Sequence, residues 1–469
     1  MAFATVSSAF AGGLLTNTNQ NAVFLRNPAR DAVIAIDGVY SNPAGIAFLP
    51  KGFHLSLSWQ SAIQKRQITS NAPFYALNTE NNTQEHFFEG KAAAPVIPSF
   101  QAAYVFNDKW SVSAQFAVGG GGGKCEFENG LPMFEQLLGG QLASGINSAT
   151  TTNQLYSYSL DQNLIGKQYF YGIQVGGTYK VTDKVSVFGG VRGVIAKSGY
   201  EGSIKNFTVN GIAGNLYSPR FAEVSKLAAE AAKAMADAGN AQMAAEYAAI
   251  AEQAGTVALM TSEDLVLDCQ QSGFGITPIL GVDVNLGKLN LAAKYEFRTK
   301  INLKNDSKNS SNVDNVFDAY KDGEKVRSDI PALLTLGAQY SILDNVRVMG
   351  GFHYFFDKDA EGSATEDVEK NTWEVTLGAE WDVNNWLTVS AGTQRTKYGF
   401  GQNMQDTNFN VSSTALCLGA TFHVSKMVNI NAGYMHSFYN DHTIKDNNGI
   451  TNTYTRKNDV VGVSVDLKF

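Results

Sequence analysis

The chain has 469 residues, a formal net charge of −7, only 17% charged residues, 11% aromatics, 45 Gly and 10 Pro. Its charged fraction lies below the roughly 25% of soluble domains, and no run approaches the roughly 20 consecutive apolar residues of a spanning helix, so a helical membrane protein is excluded. The acidic balance leaves no basic surface for nucleic acid, and three Cys without a CxxC pair exclude a zinc knuckle or a thioredoxin-like centre.

Residues 1–11 (MAFATVSSAFA) are small and apolar and end in the A-x-A pattern of a processed export signal. We read them as the tail of a secretory signal, with no Cys after it to carry a lipid anchor. Residues 12–51 lack strand alternation, carry corners at Pro28 and Pro43, and precede the first alternating segment. They have the size of a plug.

From Gly52 the chain falls into segments of about a dozen residues in which apolar side chains alternate with polar or small ones, as strands between lipid and water must. A single strand, 52–63, is followed by six pairs joined by very short polar turns. The pairs are 100–106 with 110–118, 166–181 with 185–197, 274–286 with 289–303, 333–342 with 346–356, 372–383 with 386–397, and 414–424 with 428–438. A last strand, 459–469, ends in Phe469. The turns are hairpin chemistry, and the connections between pairs are long and polar. This predicts an all-β fold, a membrane-spanning antiparallel barrel of about 14 strands over 52–469, with short turns on one side and long loops on the other. Aromatics near segment ends, Trp59, Trp110, Tyr179, Trp373 and Trp381 among them, suit interfacial girdles. One loop departs from the pattern. Ser218-Pro219 opens an Ala-rich stretch interrupted by Gly239-Asn240, which predicts a solvated helical hairpin over 218–262 on the outer side.

At Asp37–Leu49 (DGVYSNPAGIAFL) the chain resembles the FadL/TodX family of outer-membrane transporters of long-chain fatty acids and other hydrophobic compounds, Asn42-Pro43-Ala44 matching the NPA motif of that family's N-terminal hatch. The resemblance implies a barrel blocked by the hatch, capture of ligand among apolar outer loops, and sideways exit through a gap in the wall made by a kinked strand. It places Asn42, Pro43 and Ala44 in the hatch and implies a Gram-negative outer membrane as the location.

A fatty acid needs an apolar lining and a few donors. Arg192, Lys294 and Arg298 fall on inward positions and are candidates to meet its carboxylate; the alternative is that they pair with acids of the lumen or hatch. Phe127, Leu131, Met133, Phe134, Leu137 and Leu138 are candidates for outer capture, or for local packing. Gly119, Gly120 and Gly121 open a glycine run after Val118 that marks a kink and hence hinge or gap material. Cys125 and Cys269, at the outer ends of two strands, are candidates for a disulfide. The six His are scattered, with no HExxH and no GxSxG, so no catalytic residue, metal or cofactor is expected.

Three functions compete at this stage. The first is passive, monomeric transport of hydrophobic compounds through a plugged barrel, seated among outer-membrane lipids, with Phe469 addressing the barrel-assembly machinery. The second is a general diffusion porin, which leaves the pre-barrel segment unexplained. The third, a lipid-acting enzyme, would use His54 and Ser56 on one strand face but has no third residue to orient them.

Overall fold

The computed structural model describes residues 14–150, 156–362, 364–365, 367–401, 404–407, 409–446 and 449–469. The expected signal segment, 1–11, lies outside the described residues. Fourteen antiparallel strands form the wall. The first seven are β1 (Gly52–Asn71), β2 (Glu85–Val105), β3 (Trp110–Phe127), β4 (Tyr158–Lys180), β5 (Val185–Val209), β6 (Leu265–Asn285) and β7 (Leu289–Glu296). The rest are β8 (Leu333–Leu343), β9 (Val346–Phe355), β10 (Trp373–Asn384), β11 (Leu387–Lys397), β12 (Ser413–His423), β13 (Val428–Tyr439) and β14 (Thr451–Lys468). The barrel closes through β1 against β14, from His54 opposite Lys468 to Asn71 opposite Thr451. Four shorter strands, among them Asn302–Ser307 and His442–Lys445, extend the same sheet.

The hairpin turns stand where the sequence places them, but several strands do not end where alternation fades. β4 and β5 run for 23 and 25 residues, more than twice the 9–11 that span a bilayer, while β8 to β13 have 10 to 12. Beyond the membrane the outward face meets water and the inward face joins the apolar loop core, so the apolar-outward pattern ends although pairing continues. The opposite error occurs on β7. It stops at Glu296 rather than at Leu303, and Phe297–Ile301 interrupt it before the short strand Asn302–Ser307.

Outward-facing large apolar side chains are exposed, as a lipid-facing wall requires: Leu57, Trp59, Ile173, Leu280, Trp381, Leu418 and Val461 are each at least half exposed. Near the short turns Trp110 packs against Tyr179, the rings tilted at 46° with centres 4.6 Å apart, part of an aromatic girdle. Phe469 is anchored by backbone hydrogen bonds to Phe53 in both directions. The outer insert is a pair of helices, Ser218–Asp237 and Ala241–Ser262, with Gly239 at φ +78° between them and the Asn240 side chain accepting from the Met243 amide at 3.2 Å.

Residues 14–51 fill the lumen as single helical turns and loops, nearly all buried. Their seat on one side is a belt of glycines. Gly337, Gly351, Gly378, Gly392, Gly419, Gly433 and Gly462 sit one to a strand on β8 through β14, and a Cβ on any of them would strike Ala22, the segment Leu25–Pro28, or Asp31–Ala32 of the plug. Absence of side chains on seven consecutive strands creates the space that the plug occupies.

Candidate functional site

The wall is interrupted between β2 and β3. Their pairing runs from Gly90–Ala93 against Phe127–Lys124 and resumes at Ser99–Val105 against Ala117–Ser111. Between these stretches, 94–98 of β2 and 118–123 of β3 have no partner in each other. The chemistry explains the break. Pro95 and Pro98 lack the N–H that a ladder needs, and Gly121 and Gly122 adopt φ +63° and +108°, a region closed to ordinary side chains. On its other edge β3 keeps pairing with β4 only through two bulges, at Val118/Gly120 and Gly121/Gly123.

The plug covers this opening from inside. Asn17 donates its backbone amide to the Gly119 carbonyl at 2.8 Å, and its side-chain amide donates to the carbonyls of Val118 (3.2 Å) and Gly121 (3.0 Å). The Leu15 carbonyl lies where a Gly120 Cβ would stand. Phe24 packs in one cluster with Ala94, Ile97 and Val118. Gly119, Gly120 and Gly121 thus lie in the unpaired stretch of β3, against the first residues of the plug.

Ion pairs fix the rest of the plug to the short-stranded side. Glu380 on β10 accepts from Arg26 at 2.7 Å and from Arg30 at 3.0 Å, and its other oxygen from Arg347 at 3.2 Å. Arg30 also holds Asp37 through two hydrogen bonds, 2.7 and 2.8 Å. His353 lies between Asp31 of the plug (3.0 Å) and Glu374 of β10 (2.9 Å). The ring thus bridges an acid of the plug and an acid of the wall through its two nitrogens.

Asn42 is pinned to β6, its amide donating to Asp283 at 2.6 Å. The Pro43 carbonyl accepts from Thr178 at 2.9 Å and the Ala44 carbonyl from Ser186 at 2.7 Å. The NPA segment is therefore seated on the walls of β4, β5 and β6.

The three candidate cations are not brought together. Arg192 donates to Glu296 at 2.6 Å and to Gln174 at 2.7 Å, and Lys294 lies 2.7 Å from the other Glu296 oxygen while donating to the Tyr40 carbonyl at 2.8 Å. Both lie over the Tyr40 ring, Lys294 at 3.9 Å and Arg192 at 5.4 Å. Of the two readings open in the sequence, the structure shows these two cations engaged by a lumen acid. Arg298 stands apart, in the break after β7, partly exposed and facing Asp329 and Glu361.

Above the membrane the tall strands enclose an apolar chamber. Phe127, Leu131, Phe134 and Leu138 are buried in its core, with Met133 and Leu137 packed against it. Phe134 and Leu137 also line a shallow apolar groove, completed by Leu164, Ile204, Leu265 and Phe317. The loop carrying them is pinned at Glu135, which accepts from Asn78 (2.7 Å) and Tyr158 (2.8 Å) and lies 3.1 Å from His86.

The proposed disulfide is absent, since Cys125 and Cys269 are both free. Register gives the reason: Cys125 is level with Gly166, Gly166 with Tyr200, and Tyr200 with Cys269. Three strand spacings, about 14 Å, separate residues whose Cα atoms would need to lie within about 7 Å. His54 and Ser56 do share a face, but His54 is held by the Pro50 carbonyl at 2.7 Å and Ser56 donates to Asp466 at 2.6 Å.

Sequence reasoning missed the β2 side of the opening, because 64–98 reads as a long polar loop. The signal was present in Pro95 and Pro98, two residues that weaken any strand opposite the glycine run.

No protein-family model and no curated protein sequence matches the chain. Solved structures do. A Pseudomonas aeruginosa FadL homologue superimposes with a TM-score of 0.66 at 13% identity, covering 98% of this chain and 100% of its own. The toluene transporter TodX of P. putida gives 0.53 at 14% identity over 93% and 94% of the two chains. The toluene transporter TbuX of Ralstonia pickettii gives 0.52 at 14% over 94% and 98%. The chain thus has the fold of the FadL and TodX structures, a fourteen-stranded barrel closed from within by its N-terminal segment.

Proposed function

We propose that the protein is a non-enzymatic transporter that takes hydrophobic small molecules across the outer membrane of a Gram-negative bacterium by passive diffusion, long-chain fatty acids being the specific candidates. The observation that carries this reading is the unpaired stretch between β2 and β3, sealed from inside by Asn17 and Phe24. An opening in the wall at membrane height leads into lipid, which suits a greasy cargo and not a solute. The apolar groove beside Phe134 and Leu137 supplies an outer capture surface, and Gly119 to Gly121 the flexible edge of the exit. A fatty-acid carboxylate reaches Arg192 or Lys294 by competing with Glu296, so Arg192→Gln should weaken uptake of a fatty acid and spare that of a neutral hydrocarbon. The structures of like fold include transporters of toluene, which supports hydrophobic cargo as a class.

The test is conductance and uptake in planar bilayers and liposomes. The intact protein should pass little ion current while admitting a fluorescent fatty acid, and deletion of residues 12–35 should raise the current at least tenfold. High current through the intact protein, unchanged by the deletion, would overturn the reading in favour of an open porin.

A further inference from the structure

The outward face of the wall carries a row of cations whose origin is the register. Lys65 on β1 stands directly opposite Lys457 on β14 and directly opposite Lys91 on β2. All three are exposed and alternate with buried neighbours such as Arg66, Arg456 and Ala92, so all three point away from the lumen. Directly opposed residues on neighbouring strands sit about 5 Å apart, and like charges so placed destabilise a sheet. Among the described residues none of the three forms an ion pair, whereas the lysines of the next two strands do: Lys124 holds Glu126 at 2.8 Å and Lys167 holds Glu201 at 2.7 Å. Glu89, two residues from Lys91 on the same outward face and opposite Gln67, leaves the row with one acid beside three lysines; the other nearby acids are engaged elsewhere. Glu126, opposite Lys91, belongs to Lys124. Asp459, two residues below Lys457, is held by His436 at 2.7 Å and by the Tyr434 hydroxyl at 2.5 Å.

Height on the barrel gives the row its meaning. Below Lys65, every outward residue of β1 is uncharged: Ile63, Ser61, Trp59, Leu57, Leu55 and Phe53. Eleven residues from Phe53 to Ile63, tilted as barrel strands are, make the roughly 25 Å apolar band of such a wall. On β1 the lysine is the first charge above it, at the outer headgroup level; on β14 Asp459, level with Ile63, comes one outward position lower and is neutralised by its hydrogen bonds to His436 and Tyr434. Beneath them a groove runs across the lipid-facing wall, lined by Trp59, Ser61, Leu418, Tyr434, Val461 and Val463. Ser61 is four residues from Lys65, about 13 Å along the strand, the reach of an acyl chain from its headgroup.

We propose that β2, β1 and β14 form an outer-leaflet lipid site on the outside of the barrel: Lys91, Lys65 and Lys457 bind the phosphate groups of an anionic, phosphorylated lipid, and the groove beneath takes one of its acyl chains. The proposal rests on the outer-membrane reading above but not on the transport pathway, since the site faces away from the lumen. The site adjoins β2, the strand that borders the opening, so a bound lipid would brace that strand.

The experiment is native mass spectrometry of the protein in neutral detergent, titrated with diphosphoryl lipid A, with the same lipid stripped of its phosphates, and with phosphatidylcholine. A lysine near an anionic lipid surface contributes about fivefold in affinity. The triple variant Lys65→Gln, Lys91→Gln, Lys457→Gln should therefore lose roughly a hundredfold in binding of diphosphoryl lipid A and nothing for phosphatidylcholine. Lys288→Gln and Lys426→Gln, in the turns at the opposite end, should leave binding unchanged, and Ala432→Phe in the groove should weaken binding of the acylated lipid with the salt dependence intact. Equal affinity of the triple variant and the wild type, or equal binding of the phosphate-free lipid, overturns the site. Heat-modifiable migration reports folding of each variant, and fatty-acid uptake is measured in parallel. Selective lipid binding without uptake would sink the transport reading alone, and uptake without selective binding would sink this site alone.

Discussion

The two halves of the barrel treat the plug in opposite ways. From β8 to β14 the strands are mostly short, each carries a glycine against the plug, and buried charges close the contact through Glu380 and through His353. From β2 to β5 the strands are tall, the ladder is broken once, and the plug meets the break through Asn17 and its neighbours. A plug held equally on all sides could move only as a whole. Held this way, it has anchored parts, Ala22 to Asp37 and the Asn42–Ala44 turn seated on β4 to β6, and a first segment whose loss would uncover the Gly119–Gly121 edge of the opening while Phe24 and the anchors stay in place.

The largest effect should come from the anchor. Glu380→Gln leaves Arg26 and Arg30 buried without their shared carboxylate, and breaking a buried ion pair costs about 3–5 kcal/mol. The plug should leave the lumen in a substantial fraction of molecules, seen as ion current through bilayers, while the barrel still migrates as a folded, heat-modifiable band. A glycine of the belt should matter somewhat less. A Cβ at Gly433 would lie 2.7 Å from the Arg26 backbone nitrogen and 2.9 Å from the Leu25 carbonyl carbon, atoms that cannot rotate aside. Gly433→Ala should cost about 1–3 kcal/mol of overpacking, read as a lower urea midpoint. On the other half, Gly189→Ala on β5, where nothing lies within 4 Å, should leave the midpoint unmoved. Equal effects at Gly433 and Gly189 would erase the asymmetry.

At the opening the expected change is smaller and local. Asn17→Ala removes two side-chain hydrogen bonds to wall carbonyls, each worth about 1 kcal/mol. A thiol reagent should then reach a cysteine placed at Thr16 roughly fivefold to thirtyfold faster, with no change in the urea midpoint. A matching shift in global stability would mean that the first segment is part of the anchor after all.

The sequence makes some of this comparison visible and hides the rest, for physical reasons. Alternation together with turns of two or three residues shows the fourteen strands, because lipid on one side and lumen on the other force period two. The glycine run at Gly119 shows where β3 cannot hold a ladder. The belt is hidden: Gly378 or Gly419, taken singly, says only that a side chain is missing, and its meaning appears when strands are laid side by side. Pairing partners are hidden in the same way. Cys125 and Cys269 both sit at outer strand ends, yet two intervening strands separate them, and Arg192 finds Glu296 across β6. The upper parts of β4 and β5 read as loops because their outward faces turn from lipid to water while their inward faces, at Leu160, Leu164, Tyr200 and Ile204, join the apolar loop core, so the apolar-outward pattern of the membrane stretch ends.

The smallest effect concerns the tall half above the membrane, where two titrating groups pin the capture loop. Asp406, buried in the outer loops, accepts from the Met133 amide at 2.7 Å and from the Tyr454 hydroxyl at 2.5 Å, and burial pushes its carboxyl up to about 6. His86, at the outer end of β2, is opposed by burial, but its hydrogen bonds to Glu135 and to the Asn81 carbonyl prevail and raise its pKa. Both groups bind protons more tightly folded than unfolded, so both make stability fall as pH rises. For Asp406 the loss runs from its ordinary value near 4 up to about 6; for His86 it begins near 6.5 and continues above it. The capture loop should therefore loosen as pH rises from about 4 through 6 on account of Asp406, and further above about 6.5 on account of His86. The check is hydrogen exchange at the amides of Leu131–Leu138, corrected for the intrinsic pH dependence of the rate, with the amides of β8 to β14 as the internal reference. Asp406→Asn should remove the lower part of the dependence and His86→Gln the upper part, leaving β8 to β14 flat throughout. A wild-type loop whose protection is equally flat would show that neither group controls it.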